Sequence, residues 1–495
     1  MEIILPSIYL IFLLFLLHNW SKKRFPELKW WLPIIFLVKL LVALFFLYVY
    51  TYHYGGGELT ADAGRFFQES QVFYNLLWEH PDMYFKFFFG IENDPRIVDA
   101  FMDELGHWNT SSHTLSNDSR NVIRINSLLF FISNGKILVH FLVFSLISFL
   151  ATIDLALFIR KWSTLSFPVV LAVLALLPSV AFWGSSIIKE PLLLAGLCIL
   201  IRGVFDDLSF KGKWWRLLLG LALMLMFKPY ILAIFLVVLL FYFVFSRLVP
   251  KLQLVNVVVF FIFGALITQW SGKLDSAVSL VSRQQQDFMN VRDGGLYLEI
   301  DDDYYYYVYF SNRDKFQFLD GHIAVLKEPT GAYIAHKRNY NDRKTVSLTN
   351  VGEVYPVHLS MTQAGSGIDV TRIDNSLWTM IKIIPEVLYN TTIRPLPNDK
   401  GSWLKYLAFI ENILLFLGLI LITLFTRRKL NKRIKRMVWT LIVFAFLVFV
   451  VVGWTTPVLG AIVRYKVPGV LALGIVGLLL IDFYKIQKIL GLVKK

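Results

Sequence analysis

The sequence predicts an all-α polytopic membrane protein, with about eleven transmembrane helices and a small β-rich extracytoplasmic insertion. Hydrophobic residues make up 56% of the 495 residues, above the roughly 45–50% of soluble domains. Several apolar runs reach the ~17–25 residues that a helix needs to cross the hydrocarbon core. The loops between these runs alternate between basic and basic-poor. Together these observations indicate a multi-pass protein whose main partner is the lipid bilayer.

The apolar stretches define the predicted membrane-spanning helices. They cover 3–19, 30–51, 137–159, 165–183, 187–203, 214–227, 229–246, 253–270, 404–426, 437–454 and 467–484. Segments 187–203 and 214–227 are short for a full crossing, so we expect them to thin the bilayer or to enter it only partly. The chain then divides into N-terminal helices (1–51), a first extracytoplasmic loop (52–136), a transmembrane bundle (137–270), a β-rich domain (271–403) and C-terminal helices (404–495).

The basic loops predict the orientation. Lys and Arg cluster at 22–24, 160–161, 211–216, 247–251, 427–436 and 494–495. With eleven spans all these clusters fall on one side, which the positive-inside rule makes cytoplasmic. We therefore expect a protein of the bacterial inner membrane, with its N-terminus outside and its C-terminus in the cytoplasm. Most of the basic excess behind the formal net charge of +14 lies in these loops, where it sets the orientation. Nucleic acid is therefore not an expected partner.

Two long segments lie on the predicted outer side. In the first, residues 66–89 are rich in aromatic side chains, which is typical of helices lying in the membrane interface and equally of helices packed in a small loop core. In the second, 296–310, 324–326 and 345–348 mix β-branched and aromatic residues. These stretches predict short strands.

Asp62 is the first candidate for chemistry, because it follows the second predicted span directly. A carboxylate at a membrane mouth can accept a proton from an incoming hydroxyl, and apolar surroundings would raise its pKa toward working pH. The alternative is that Asp62 caps the N-terminus of the next helix, a position that Asp favours.

Lys189 and Glu190 lie at a tight turn between two predicted spans. Charges near the bilayer are costly, so these residues need partners or a function. One interpretation is a mutual ion pair at the start of a helix. The other is that Lys189 contacts a phosphate while Glu190 holds a metal or orients an acceptor.

Arg464 and Lys466 open the last predicted span on the side that is otherwise poor in basic residues. Two cations there suit the phosphate or pyrophosphate of a lipid carrier, with Arg making bidentate contacts. The alternative is that they extend to lipid headgroups. Lys228, before a span, and Arg394, in a proline-rich segment before the ninth span, are further candidates for the same cavity.

In chain order, these motifs resemble those of the GT-C superfamily of membrane glycosyltransferases, in particular its polyprenyl- or dolichyl-phosphate-sugar-dependent, mannosyltransferase-like branch. Asp62 after a transmembrane helix, the Ser-Ser-Ile-Ile-Lys-Glu step at 185–190 and the Arg-Tyr-Lys-Val-Pro opening at 464–468 carry the resemblance. It covers about 30–250 and 390–485.

The resemblance implies that a sugar moves, with inversion, from a polyprenyl-phosphate-type lipid donor to an acceptor on the extracytoplasmic face. Asp62 would deprotonate the acceptor, and Glu190 would belong to the same catalytic site. Cations would bind the donor and neutralise the departing lipid phosphate. They are Lys189, Lys228, Arg394, Arg464 and Lys466.

The implied partners are a lipid-linked sugar donor and a glycan, lipid or protein acceptor. Asp62 is alone where many relatives have paired acids, so no cofactor is assigned and a divalent cation is left open. The alternative function is a transporter, flippase or polymerase for lipid-linked glycans. A transporter should carry polar residues along a path through the membrane, whereas this chain shows scattered Lys39, His140 and Asp154.

Overall fold

The computed structural model describes residues 3–92, 94–102, 105–108, 117–319, 321–336, 339–360, 363–373, 376–427 and 429–489. Arg428 and the tail residues Lys494 and Lys495, which contribute to the basic clusters, lie outside the described residues. Within the described part, the chain is mainly helical with a small antiparallel sheet.

The part before the insertion is helical. Its helices are α1 (Ile4–Arg24), α2 (Trp31–Tyr48, continued by a π-helical segment, Val49–His53), α3 (Ala61–Glu79), α4 (Pro81–Phe88), α5 (Pro95–Met102), α6 (Asp118–Ser133), α7 (Ile137–Ile159), α8 (Phe167–Leu176), α9 (Pro178–Trp183), α10 (Lys189–Phe205), α11 (Phe210–Phe227), α12 (Pro229–Phe243) and α13 (Gln253–Trp270).

The remainder holds the sheet and the C-terminal helices. The elements are α14 (Leu274–Asp293), β1 (Leu296–Glu299), β2 (Tyr304–Val308), β3 (Phe316–Leu319), β4 (Ile323–Leu326), β5 (Thr330–His336), β6 (Asn339–Leu348), β7 (Val354–Ser360), α15 (Leu377–Lys382), α16 (Ile384–Thr392), α17 (Leu404–Leu424), α18 (Lys432–Thr455), α19 (Leu459–Tyr465), α20 (Val467–Leu480) and α21 (Phe483–Ile489).

Seven helical segments of the described residues are long and apolar enough to cross a membrane. They are α1, α2 with its flanking turns (Pro26–His53), α7, α12 with the turn that follows it (Pro229–Arg247), α13, α17 and α18. An eighth results if α19 and α20, bent by 49°, form one span. These helices are consistent with an integral multi-pass membrane protein. The other predicted spans form α8 to α11, and α8 ends where Pro178 begins the short α9. The count of eleven crossings is not confirmed, and the sides of the termini stay predictions.

Helices differ in how far they enter the bundle. In α7 and α18, 67% of the residues in the apolar stretch are buried inside the protein, whereas in α17 the share is 11%. Glycines allow α10 and α11 to approach closely, as small residues do between membrane helices. A Cβ on Gly196 would lie 2.9 Å from Leu223, and one on Gly220 would lie 2.8 Å from Leu200. This contact fixes α10, whose first turn carries Lys189 and Glu190.

The helices of the first loop pack against one another and share one continuous hydrophobic core with the bundle. Phe73 stacks against Tyr84 and Trp108, with ring centroids 4.7 and 5.2 Å apart. The interpretation that this aromatic stretch packs in a core is therefore confirmed, but the core is that of the bundle and not a separate one. Trp78 and Phe85 remain exposed, so the same helices also offer aromatic side chains to an interface.

Two of the polar residues that stand out in the apolar spans, His140 and Asp154, have structural partners. His140 of α7 hydrogen-bonds Asn126 at 2.7 Å and Ser133 at 2.8 Å, both on the neighbouring α6. Asp154 accepts hydrogen bonds from Arg216 at 2.6 and 2.8 Å. These contacts explain how the charge and the imidazole are accommodated among apolar helices.

The β-rich insertion contains one seven-stranded sheet in the order β3-β4-β7-β1-β2-β5-β6. Predicted strand 296–310 becomes β1 and β2, and the other two predicted strands lie in β4 and β6. The insertion also contains α14, α15 and α16, so it is less exclusively β than predicted. A backbone bridge between Gly367 and Val458 ties its C-terminal part to the segment before α19.

Candidate functional site

Arg464, near the end of α19, joins two carboxylates from distant parts of the chain. Its Nη1 donates to Asp62 Oδ2 at 2.6 Å. Its Nε and Nη2 donate to the two oxygens of Glu190 at 2.7 and 2.9 Å. Asp62 and Arg464 are 402 positions apart in sequence. Folding therefore brings three of the predicted site residues into one ion-pair cluster.

The backbone before Asp62 is strained. Ala61 has a φ of 55°, a left-handed conformation that costs a non-glycine residue roughly 1–2 kcal/mol. Thr60 occupies the N-cap position, and Asp62 lies inside the first turn with its carboxylate on Arg464. The interpretation of Asp62 as a helix cap is therefore wrong, because the helix begins before it.

Lys189 and Glu190 do not pair with each other, since adjacent helix positions do not face each other. Glu190 is 1% exposed and has Lys228 Nζ 3.6 Å from its Oε1, in addition to Arg464. Lys189 instead contacts Asp118 of α6 at 2.8 Å. The mutual ion pair is thus wrong, and Glu190 is the buried centre of the cluster.

Lys466 and Arg394 are not brought into contact with this cluster. Lys466 is 2% exposed, and its Nζ donates to Thr391 O and Asn412 Oδ1, both at 2.9 Å. The alternative that Lys466 extends to lipid headgroups is wrong, because its side chain is buried and hydrogen-bonded inside the protein. Arg394 lies 3.5 Å from Asp399.

The pKa of Asp62 reflects two opposing effects. Burial raises it, but the charge of Arg464 and the hydrogen bond from its guanidinium lower it further, so the pKa lies below the ordinary value. The expected rise toward working pH is therefore wrong. The physical reason is the bound guanidinium, which favours the carboxylate form. Asp62 is ionised at neutral pH, and its strength as a base depends on how firmly Arg464 holds it.

An apolar cavity of about 780 Å³ adjoins the cluster. Trp183 lines it and also carries the Arg464 guanidinium 5.6 Å from its ring centroid. The walls come mainly from α2, α9, α17 and α19, with the end of α8 and the loop segments at 365–366 and 395–402. They include Val38, Val42, Phe45, Phe182, Leu407 and Ala408. Lys400 and Lys405 line the cavity where the chain enters α17, and sequence reasoning missed both because they precede an ordinary apolar run.

Glu411 also lines this cavity and was not singled out from the sequence. It is buried and accepts a hydrogen bond from the backbone N–H of Ser179 at 2.8 Å. Glu411 follows Lys405 by six positions, which places it about 9 Å further along α17. A carboxylate inside an apolar run is itself a usable signal, so this residue could have been found.

The described residues contain no group of three or more His, Cys, Asp or Glu side chains that could hold a metal ion. Comparisons with protein-family models, curated proteins and solved structures give no match. The class that the fold defines is therefore an integral multi-pass membrane protein with a charged cluster beside an apolar cavity. The glycosyltransferase resemblance rests on the sequence motifs alone.

Proposed function

We propose that this protein is a membrane glycosyltransferase that moves a sugar from a polyprenyl-phosphate-type lipid donor to an acceptor on the extracytoplasmic face. One observation carries the proposal: the Asp62–Arg464 ion pair lies beside an apolar cavity, because Trp183 lines that cavity and also contacts the Arg464 guanidinium. Lys400 and Lys405 line the same cavity. The Asp62 side chain is 44% exposed, so a hydroxyl can reach it from water.

The donor lipid would occupy the cavity. Its volume of about 780 Å³ lies within the ~300–1,000 Å³ of typical ligand sites, and its walls suit an isoprenoid chain. Lys400 and Lys405 are placed to attract the phosphate. These two residues replace Lys466 in the donor-binding set, because they line the cavity, whereas Lys466 does not and is 2% exposed. Lys405 Nζ also donates a hydrogen bond to the Asp399 carbonyl, which a phosphate would have to displace.

The reaction is a displacement at the anomeric carbon. The acceptor oxygen forms a bond to that carbon as the bond to the phosphate oxygen breaks, and the electron pair leaves with the phosphate. Asp62 takes the acceptor proton, and a general base of this kind typically increases the reaction rate by about 10²–10⁴-fold. Arg464 stabilises the negative charge on the leaving phosphate.

The contact between Arg464 and Asp62 suggests how the base is activated. An incoming phosphate competes with Asp62 for the guanidinium, while Glu190 holds Arg464 through two further hydrogen bonds. As the contact with Asp62 weakens, the effect that lowers its pKa weakens too. Donor binding would therefore turn Asp62 into a better base.

The test compares Asp62→Asn with Asp82→Asn, a matched control on an exposed carboxylate of the same loop. Single-turnover transfer is measured in nanodiscs with a panel of radiolabelled polyprenyl-phosphate sugars, and donor affinity is measured separately. Asp62→Asn should lose at least ~100-fold in turnover and keep its donor affinity. Turnover within a few-fold of the parent protein would refute the role of Asp62.

One observation favours a second function, a transporter for lipid-linked glycans. Two helix breaks, α8–α9 and α19–α20, lie beside buried Glu411 and Lys466, and discontinuous helices often form transport sites. A transporter moves its lipid without cleaving it. Flipping of a fluorescent lipid-linked glycan in liposomes that depends on Glu411, with no sugar released, would favour this alternative.

A further inference from the structure

Two short helices near the end of the insertion, α15 and α16, expose apolar side chains. Within α15, Trp378 and Ile381 are three positions apart and are 72% and 46% exposed. Pro385, Tyr389 and Ile393 are exposed at intervals of four along α16 and its C-cap. Residues three or four positions apart share one face of a helix. We refer to these five residues as the exposed stripe.

The opposite faces of the two helices are apolar as well. The buried side chains of this segment belong to one hydrophobic core that also includes residues of α14 and α18. Its members include Met380, Ile383, Val387, Val278 and Val450. A helix that is hydrophobic on all sides lies either inside a protein or in a membrane. Since one side packs on the protein and the stripe is exposed, a lipid environment accounts for the composition of the stripe.

The contact with α18 fixes the level of these helices. Val387 packs so closely on α18 that a Cβ on Gly453 would lie 2.5 Å from its side chain. Trp454 Nε1 donates a hydrogen bond to Met380 O at 3.1 Å. α18 ends one residue after Trp454, and its apolar run extends to that end. Val387 therefore lies about 3 Å from the end of a helix that is long enough to cross the membrane.

The C-terminal end of α16 is bound by side chains of the membrane bundle. Asn412 Nδ2 donates to Ile393 O at 3.0 Å and to Arg394 O at 2.9 Å. Lys466 Nζ donates to Thr391 O at 2.9 Å. The last carbonyls of a helix have no partner within the helix. Here two buried side chains supply the donors, which a helix end away from water requires.

Asn412 places this helix end well below the membrane surface. It lies eight residues, about 12 Å, beyond the start of α17. Trp403 and Tyr406, at that start, are 41% and 46% exposed, and Trp and Tyr are enriched where a membrane meets water. Six residues of helix, from Val387 to Ile393, span about 9 Å. That length connects the level near the end of α18 with the level of Asn412.

The charged residues of the segment lie toward its surface end. Glu386 accepts hydrogen bonds from the backbone N–H and the hydroxyl of Thr371, at 2.8 and 2.6 Å. Lys382 is exposed, and a lysine near a membrane surface can extend its ammonium to the headgroups. Both precede Val387, whereas the residues from Val387 to Ile393 carry no charge.

We propose that α15 and α16 form a re-entrant membrane segment whose exposed stripe contacts lipid acyl chains. The chain enters the leaflet at the C-terminal end of α18, turns after Ile393 and returns to the surface through 394–403. Buried Lys466, which does not reach the charged cluster, caps the submerged helix end together with Asn412. The inference is independent of the proposed glycosyl transfer. It places part of the insertion in the bilayer and not in water.

The experiment measures depth by site-directed spin labelling of the full-length protein in nanodiscs of phosphatidylcholine and phosphatidylglycerol. Cys198 is the single cysteine and is buried, so the unmodified chain serves as the labelling blank. Nitroxides are attached at Ile381→Cys and Ile393→Cys, and their collisions with oxygen and with a water-soluble nickel chelate are compared. We expect the label at 381 at the headgroup–acyl boundary and the label at 393 about 10 Å or more below the phosphates.

Two control positions calibrate the depth. Ile413→Cys lies on α17 next to Asn412 and is 41% exposed, so its label should lie within about 3 Å of the depth of the label at 393. Val351→Cys lies in the turn before β7 and is 61% exposed, so its label should collide with the nickel chelate. A label at 393 that behaves like the one at 351 would overturn the proposal. A label shielded from both reagents would do so too, because protein would then cover the stripe.

Photolabelling gives a second measurement on the unmodified chain, so it decides the case in which a cysteine variant misfolds. Phospholipids that carry a diazirine on the acyl chain are activated in the nanodisc, and the modified residues are mapped by mass spectrometry. Adducts should appear at 378–393 and on α17, and not around Val351. Adducts on α17 without any at 378–393 would refute the re-entrant segment. A protein without glycosyltransferase activity would leave both measurements unchanged.

Discussion

Glu190 should be the residue on which the stability of the charged cluster depends most. Its side chain is 2% exposed and accepts two hydrogen bonds from Arg464 at 2.7 and 2.9 Å. Each hydrogen bond to a charged group contributes roughly 1.5–3 kcal/mol, and breaking a buried pair by removing one partner costs about 3–5 kcal/mol. Glu190→Gln keeps one acceptor oxygen, so we expect a loss of about 3 kcal/mol.

Asp62→Asn provides the matched comparison. Its carboxylate accepts one hydrogen bond from Arg464 at 2.6 Å and is 44% exposed, so water screens the pair and compensates for its loss. We expect about 1 kcal/mol or less for this variant. The difference between the two variants is measured by reversible unfolding in mixed detergent micelles at neutral pH.

The ordering of the two variants is the critical result. If Asp62→Asn destabilises the protein as much as Glu190→Gln, the account of the cluster by burial is refuted. A double variant with Met at positions 190 and 464 tests the same reasoning. It removes both buried charges together, so it should cost less than the sum of the two single replacements, as apolar replacement of a buried pair usually does.

Three further predictions concern the residues around Asp62 and the rim of the cavity. The folded-state pKa of Asp62 lies below its ordinary value of 3.8. The ionised Asp62 therefore stabilises the fold above pH 3.8, and this stabilisation disappears as the pH falls through the folded-state pKa. In Asp62→Asn, the free energy of unfolding should lack this pH-dependent loss, which acid unfolding measures. Ala61→Gly should stabilise the protein by about 1 kcal/mol, because glycine adopts a φ of 55° without strain. The control Ala63→Gly, in the same helix, should destabilise the protein by roughly 0.5–1 kcal/mol. Thermal unfolding measures both variants. Replacing Lys400 and Lys405 together by Ala should weaken binding of a polyprenyl phosphate by at least ~10-fold. Binding of the phosphate-free polyprenol should stay unchanged. Equal losses of affinity for both lipids would contradict a contact between these lysines and the phosphate.

Much of the fold follows from local sequence. Long apolar runs become helices because a helix satisfies its own backbone hydrogen bonds in a lipid environment. The segment 296–310, which mixes aromatic and β-branched residues around an acidic turn, forms strands β1 and β2. Asp62, Glu190 and Arg464 stand out in the sequence for a related reason, since charges beside apolar runs are costly unless something compensates them.

The choice of partners was decided by the tertiary structure. Lys189 and Glu190 are adjacent, yet one binds Asp118 and the other Arg464, because helix geometry sends their side chains in different directions. Arg464 and Lys466 likewise part at the bend between α19 and α20. The sequence predicts which charges need partners, but it does not contain the distances that choose among them.

The direction of the Asp62 pKa shift shows the same division. The sequence revealed the apolar surroundings, which raise the pKa, and it could not reveal a guanidinium 402 positions away that lowers it further. The same holds for the cavity, since its walls come from several remote helices and loops, and its lysines precede an unremarkable apolar run. Composition and pattern are local properties. They determined the helices, the strands and which charged residues need a partner of opposite charge. Electrostatic pairing and cavity shape depend on distances between remote segments, which exist only once the chain has folded.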